Sequence, residues 1–83
     1  MLLIVHIPPY GQNFLFQVND KDLVLSLKML IHQQAGVEPE LQRLIFKGQL
    51  MMEDKTLNSY GVQEYDMVKC ICPKNLERSF ELN

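Results

Sequence analysis

The chain has little of what usually marks specialised chemistry. Its 83 residues include no tryptophan, two histidines and two cysteines. The cysteines, Cys70 and Cys72, are two apart on a strand-like segment. Their Cα atoms are then roughly 6.6 Å apart at about 3.3 Å per residue. That is close to the upper limit for a disulfide, so the expectation is two half-buried free thiols in a reducing compartment. His6 and His32 have no supporting ligand spacing, which excludes a recognisable metal site; no cofactor is implied. Neither sign of charge dominates: ten acids face eight bases, a net of −2. General attraction to nucleic acid or to an anionic membrane is not expected. No apolar run approaches the roughly 18 residues of a membrane span, and no basic N-terminal segment precedes one. The expectation is a soluble intracellular protein, cytoplasmic or nuclear.

A chain this short folds as one domain around one core. The apolar fraction of 47% is enough to build that core without staples. Leu2 to Ile7 is a β-rich run, with Leu3, Val5 and Ile7 on one face. Pro8-Pro9-Tyr10-Gly11 breaks it, and Phe14, Phe16 and Val18 alternate on a second strand. Asn19-Asp20-Lys21-Asp22 is a polar break in which Asp22 is the favoured N-cap. Val24, Leu27 and Ile31 fall at i, i+3 and i+7, one face of an amphipathic helix. Gly36 fits a left-handed C-cap, and Pro39 cannot easily continue the helix. Leu41 to Phe46 reads as a third strand, turned by Lys47-Gly48 into a short return strand, Gln49 to Met52. A short helical turn is expected around Leu57. Met67 to Cys72 alternates as the last strand, and residues 74–83 read as a tail or the start of a linker after a domain of residues 1–73. This order gives an α+β fold, a β-grasp with a mixed sheet of about five strands on one main helix.

The residues Met1, Val5, Val18, Asp22, Lys28, Ile31, Gly36, Pro39, Gln42-Arg43-Leu44-Ile45-Phe46, Gly48, Thr56-Leu57, Tyr60 and Gln63 stand in the order and at the spacing of ubiquitin. Residues 1 to about 72 therefore resemble ubiquitin and its domain-level relatives, with one extra residue in the first turn. The resemblance implies a core of Leu3, Val5, Phe14, Phe16, Val18, Val24, Leu27, Ile31, Leu44, Met51, Leu57, Val62, Val68 and Cys70. It also implies a partly buried Lys28–Glu53 pair, and a Tyr60 hydroxyl donating to backbone near Met52 or Glu53.

The resemblance implies a binding surface too, an apolar patch on the open face of the sheet centred on Ile45 and Ile71. Strand alternation agrees: Leu44, Val68 and Cys70 point inward, so Ile45, Lys69 and Ile71 point out. Arg43, Lys47, Gln49 and Lys69 rim the pair, which suits a partner helix or small helical domain, and the basic rim favours partners with acidic flanks. The family's apolar residue in the first turn has no exact counterpart; Pro8, Pro9 and Tyr10 occupy that lengthened turn, where Tyr10 is expected to supply an amphipathic contact. Lys69 replaces the family's histidine. A possible second surface comprises Leu2, Ile4 and Leu15 on the hairpin and Leu25 and Met29 on the helix.

No Gly-Gly pair closes the chain, Pro73 stands where a conjugating tail would begin, and Gln49 replaces the principal chain-linking lysine. A free-standing modifier is therefore disfavoured. Cysteine catalysis needs a positioned base, and nothing groups the histidines with the thiols, so no enzyme and no catalytic residue is expected. The reading is a non-catalytic, monomeric interaction module, N-terminal in a larger protein. The partners implied are ubiquitin-interacting helices, ubiquitin-associated domains and proteasome subunits, as in shuttle proteins. The alternative is a regulatory domain docking on its own parent enzyme.

Overall fold

The computed structural model describes residues 1–8 and 11–72. Tyr10 and the expected tail, 74–83, lie outside the described residues. Five strands form one mixed sheet: β1 (Leu2–Ile7), β2 (Gln12–Gln17), β3 (Arg43–Phe46), β4 (Gln49–Leu50) and β5 (Met67–Ile71). Their spatial order is β2-β1-β5-β3-β4. β1 and β5 run parallel at the centre, and the other pairings are antiparallel. Helix α1 (Val24–Ala35) is the one α-helix among the described residues. This is the β-grasp that the alternation of strands and the single amphipathic stripe call for.

Alternation explains the core. Leu3, Val5 and Ile7 of β1, Leu44 and Phe46 of β3, and Val68 and Cys70 of β5 are buried on one face of the sheet. Val24, Leu27 and Ile31 of α1 are buried with them, and Met51, Leu57 and Val62 close the ends. Ile7, Val37, Phe46 and Cys72 join the core beyond the family pattern. Phe14 is only half-buried, because it sits on the edge strand and packs against the core from one side.

The entrance to α1 differs from expectation. Asp22 does not cap it: the N-cap is Leu23, with no side-chain bond. The Asp22 carboxylate instead accepts from Asn19 N–H at 3.0 Å, closing the 19–22 turn on itself. The helix's first donors find backbone partners elsewhere, Val24 N–H on the Lys55 carbonyl at 2.8 Å and Leu25 N–H on that of Glu53. With orphan N–H groups already satisfied by a neighbouring loop, a capping side chain has nothing to do. The exit follows the sequence, with Gly36 left-handed at φ 77° and its N–H on the His32 carbonyl.

The third strand begins later than Leu41, because Pro39–Leu41 forms a 3₁₀ turn. Gln42 then fixes this crossing, its Nε2 donating to the carbonyls of Lys28 and Val37, both at 2.9 Å. Lys47 and Gly48 both have positive φ, so β3 and β4 join through a two-residue turn that sets their register. The return strand is only Gln49–Leu50; it ends before Met51, which enters the core. The expected helical turn is the 3₁₀ segment Asn58–Tyr60.

Candidate functional site: an apolar and basic sheet face

The register places the expected site residues on the face of the sheet away from α1. Arg43 lies opposite Ile71, and Ile45 opposite Lys69. Ile45 and Ile71 are therefore diagonal neighbours on adjacent strands, a separation of about 7–8 Å that long side chains bridge. Both are half-buried rather than fully exposed, because Arg43 and Lys69 stand directly across from them. Arg43, Lys47 and Lys69 are exposed. Lys47 also swings its Nζ to 5.3 Å from the Phe46 ring centre, a cation–π distance.

Gln49 is displaced from the expected rim. It pairs with Phe46, whereas Leu50 pairs with Ile45. Side chains directly opposite share a face. The β4 residue beside Ile45 is thus Leu50, 48% exposed. Sequence reasoning missed it, although the two-residue Lys47-Gly48 turn carried the signal, since such a turn pairs 46 with 49 and 45 with 50.

Met67 was missed as well. It is 48% exposed and shares the outward parity of Lys69 and Ile71. Ile45, Lys47, Gly48, Met67 and Lys69 line a hollow of about 280 Å³. Across β1, Met67 registers with Ile4, and Ile4 registers with Leu15 on β2. Three of the five residues of the expected second surface, Leu2, Ile4 and Leu15, are therefore continuous with the first through Met67. Leu25 and Met29 lie on α1, on the other side of the sheet, and do not join it.

The electrostatics of this face are set by an omission. None of the five strands contains an aspartate or glutamate. The acids of the described residues sit in loops and short turns: Asp20, Asp22, Glu38, Glu40, Glu53, Asp54, Glu64 and Asp66. A chain that is acidic in sum thus presents a sheet face that is apolar and basic. His6 lies on the same face in register with Lys69, its Nδ1 2.7 Å from Asn13 Oδ1.

The supporting contacts follow the family pattern with one reversal. Lys28 Nζ donates to Glu53 Oε2 at 3.0 Å, the lysine side chain nearly buried and the glutamate half exposed. Tyr60 Oη accepts from Met52 N–H at 2.7 Å, where the expectation has it donating to backbone. Cys70 and Cys72 are fully buried, not half-buried, with their sulfurs 3.6 Å apart. Burial, then the neighbouring Cys72, pushes the Cys70 thiol far up; burial likewise raises Cys72. Neither sulfur is a thiolate nucleophile at neutral pH. His6 lies on the outer face of β1 and His32 near the end of α1, so the structure brings neither thiol to a base.

Comparison with known proteins agrees with this geometry. The ubiquitin family model matches residues 5–75. The chain is 43% identical over 52 residues to Large proline-rich protein bag6-B of Xenopus laevis, covering 63% of this chain and 5% of that protein. It is 38% identical over 52 residues to Ubiquitin-like protein 4B of Mus musculus, covering 63% and 28% respectively. It is 34% identical over 61 residues to UV excision repair protein rhp23 of Schizosaccharomyces pombe, covering 72% and 17%. The match thus spans less than a third of the length of each of these relatives.

Proposed function

The chain belongs to the ubiquitin family, and from that membership we propose that it is a non-catalytic docking module whose sheet face binds an amphipathic partner helix with acidic flanks. The observation that carries the reading is the pairing of half-buried apolar side chains with a cationic border on strands that hold no carboxylate. Ile45, Ile71, Leu50 and Met67 supply the apolar contact. Arg43, Lys47 and Lys69 select partners with acidic residues beside their apolar stripe and speed encounter with them. An apolar stripe at i, i+3/i+4 is how a helix fills such a surface. Ubiquitin-interacting helices and proteasome subunits with such helices are the partners proposed, and the cytoplasm or nucleus is the compartment, where neighbouring thiols stay reduced.

The test is a titration of the ¹⁵N-labelled chain with a synthetic ubiquitin-interacting helix. Amide shifts should concentrate at Ile45, Leu50, Met67, Lys69 and Ile71 and leave α1 quiet. Ile45→Ala should weaken binding by about 1–3 kcal/mol, the size of a central contact. Affinity should fall as salt rises, because the border charges are solvent-exposed. Shifts confined to α1, or wild-type affinity in a folded Ile45→Ala chain, would overturn the reading.

A further inference from the structure

The two edges of the sheet are guarded very differently. β4 is only two residues long, too short to template another strand. β2 is six residues, Gln12–Gln17, with the sequence QNFLFQ. It has no lysine, no proline and no charge of either sign. These are the features proteins use to blunt an edge, and their absence from a β-prone hexamer is the signature of a segment that pairs with itself.

The backbone decides which groups are free. Met1 and Val18 exchange both bonds, the Met1 ammonium donating to the Val18 carbonyl at 2.7 Å and Val18 N–H to the Met1 carbonyl at 2.8 Å. They are therefore a bonded pair of the antiparallel hairpin. Alternation makes Leu3–Phe16 and Val5–Phe14 bonded pairs too. The even residues of β2 turn their N–H and C=O toward β1, so Asn13, Leu15 and Gln17 turn theirs to the open edge. Among the described residues, no other segment accepts or donates to those backbone groups.

We infer that β2 is a homotypic edge: two copies of this chain pair β2 to β2, antiparallel, about a twofold axis at Leu15. Only certain registers satisfy the outward groups. Centring on Leu15 sets Leu15 against Leu15 of the second copy and Asn13 against Gln17. All of these are residues with free backbone, and each pair exchanges two hydrogen bonds. In the same register Phe14 faces Phe16 of the second copy on the helix side. On the open side Leu15, 58% exposed, meets its own equivalent and is covered. No charge faces a like charge across this axis, because β2 carries none. Face-to-face pairing of the sheets, by contrast, would bring Arg43, Lys47 and Lys69 against one another. The Leu15 side chain shares the open face with Ile45 through Ile4 and Met67, but the outward backbone groups of β2 are no part of the docking face, so a change confined to them tests the edge alone.

Contacts confined to one strand edge sit at the small, weak end of interfaces, so association is sought between about 10 μM and about 1 mM. Sedimentation of the 83-residue chain should show average mass rising over that range. The Leu15 amide should gain protection from hydrogen exchange as concentration rises, while exposed amides of α1 do not. Leu15→Lys places two ammonium groups across the axis and should weaken association about tenfold or more. N-methylation of the Leu15 amide in a synthetic chain removes an outward donor, leaves the bonds to β1 intact, and should do the same. Met29→Lys, on the exposed side of α1, should associate as the parent does. A strict monomer at about 1 mM, association unchanged by both Leu15 modifications, or association lost equally in Met29→Lys would overturn the proposal.

Discussion

Leu44 and Ile45 are consecutive on β3 and isomeric in their side chains, yet they face opposite ways. Leu44 has no exposed surface and sits with Val68 and Cys70 under α1. Ile45 is half-buried on the open face between Lys69 and Leu50. The same strand thus carries one face that holds the molecule together and one whose apolar surface is only partly covered by the described fold. The inner face has no free surface to offer a partner. The outer face has too little packing to matter greatly to stability. Apolar side chains alone do not separate the two faces, since Leu and Ile stand on both; the parity of the strand does, and only the outer face adds Arg43 and Lys69.

The comparison is broken most directly by truncating each residue in turn. Leu44→Ala should cost about 2–5 kcal/mol of unfolding free energy, the range for a buried side chain whose cavity cannot fully collapse. Ile45→Ala should cost no more than about 1 kcal/mol, because only part of its surface leaves water on folding. Denaturant titrations of the two variants check this; similar losses would mean that the outer face is structural. A medium-sized effect belongs to the thiols. Cys70 and Cys72 have folded pKa values raised above the ordinary thiol range by burial. The folded chain therefore keeps protons that the unfolded chain releases from about pH 8.5 upward. The stability this provides is fully present at neutral pH and is lost as pH rises past that point. The slope is about 1.4 kcal/mol per pH unit for each thiol protonated only in the folded state. Unfolding midpoints measured from pH 7 to about pH 10 should fall accordingly, and Cys70→Ala should flatten the curve. The smallest effect is expected from Tyr60→Phe. It removes the acceptor for Met52 N–H, which is exposed enough to turn to water, so about 0.5–1 kcal/mol is lost. An unchanged stability would strip that contact of any structural role.

Much of the fold was legible because each signal is local or periodic. Leu3, Val5 and Ile7 declare a half-buried strand, and Val24, Leu27 and Ile31 a helix face, without reference to anything distant. Gly36 declares its own left-handed cap. What could not be read depends on contacts made across the chain. Asp22 has the right chemistry for an N-cap, but the carbonyls of Glu53 and Lys55 arrive first, and no local pattern announces them. The two thiols were expected at half burial because strand alternation gives a side but not a depth. The site was legible in its centre and less so in its extent. Ile45 and Ile71 came from resemblance supported by parity. Leu50 entered only when the turn fixed the β3–β4 register, and Met67 only when β5 was seen to bridge the hairpin and the third strand.

The backbone bonds at the start of α1 tie two parts of the chain that are far apart in sequence. Val24 and Leu25 donate into the 53–55 loop, Leu57 N–H returns a bond to the Asp22 carbonyl, and Leu23 bridges Thr56. The first helical turn has no independent existence on these terms: separating it from that loop strands donors on one side and acceptors on the other. The two segments therefore open and close as one cooperative unit. A ligand that grips residues 53–57 would also govern how often the helix frays at its entrance.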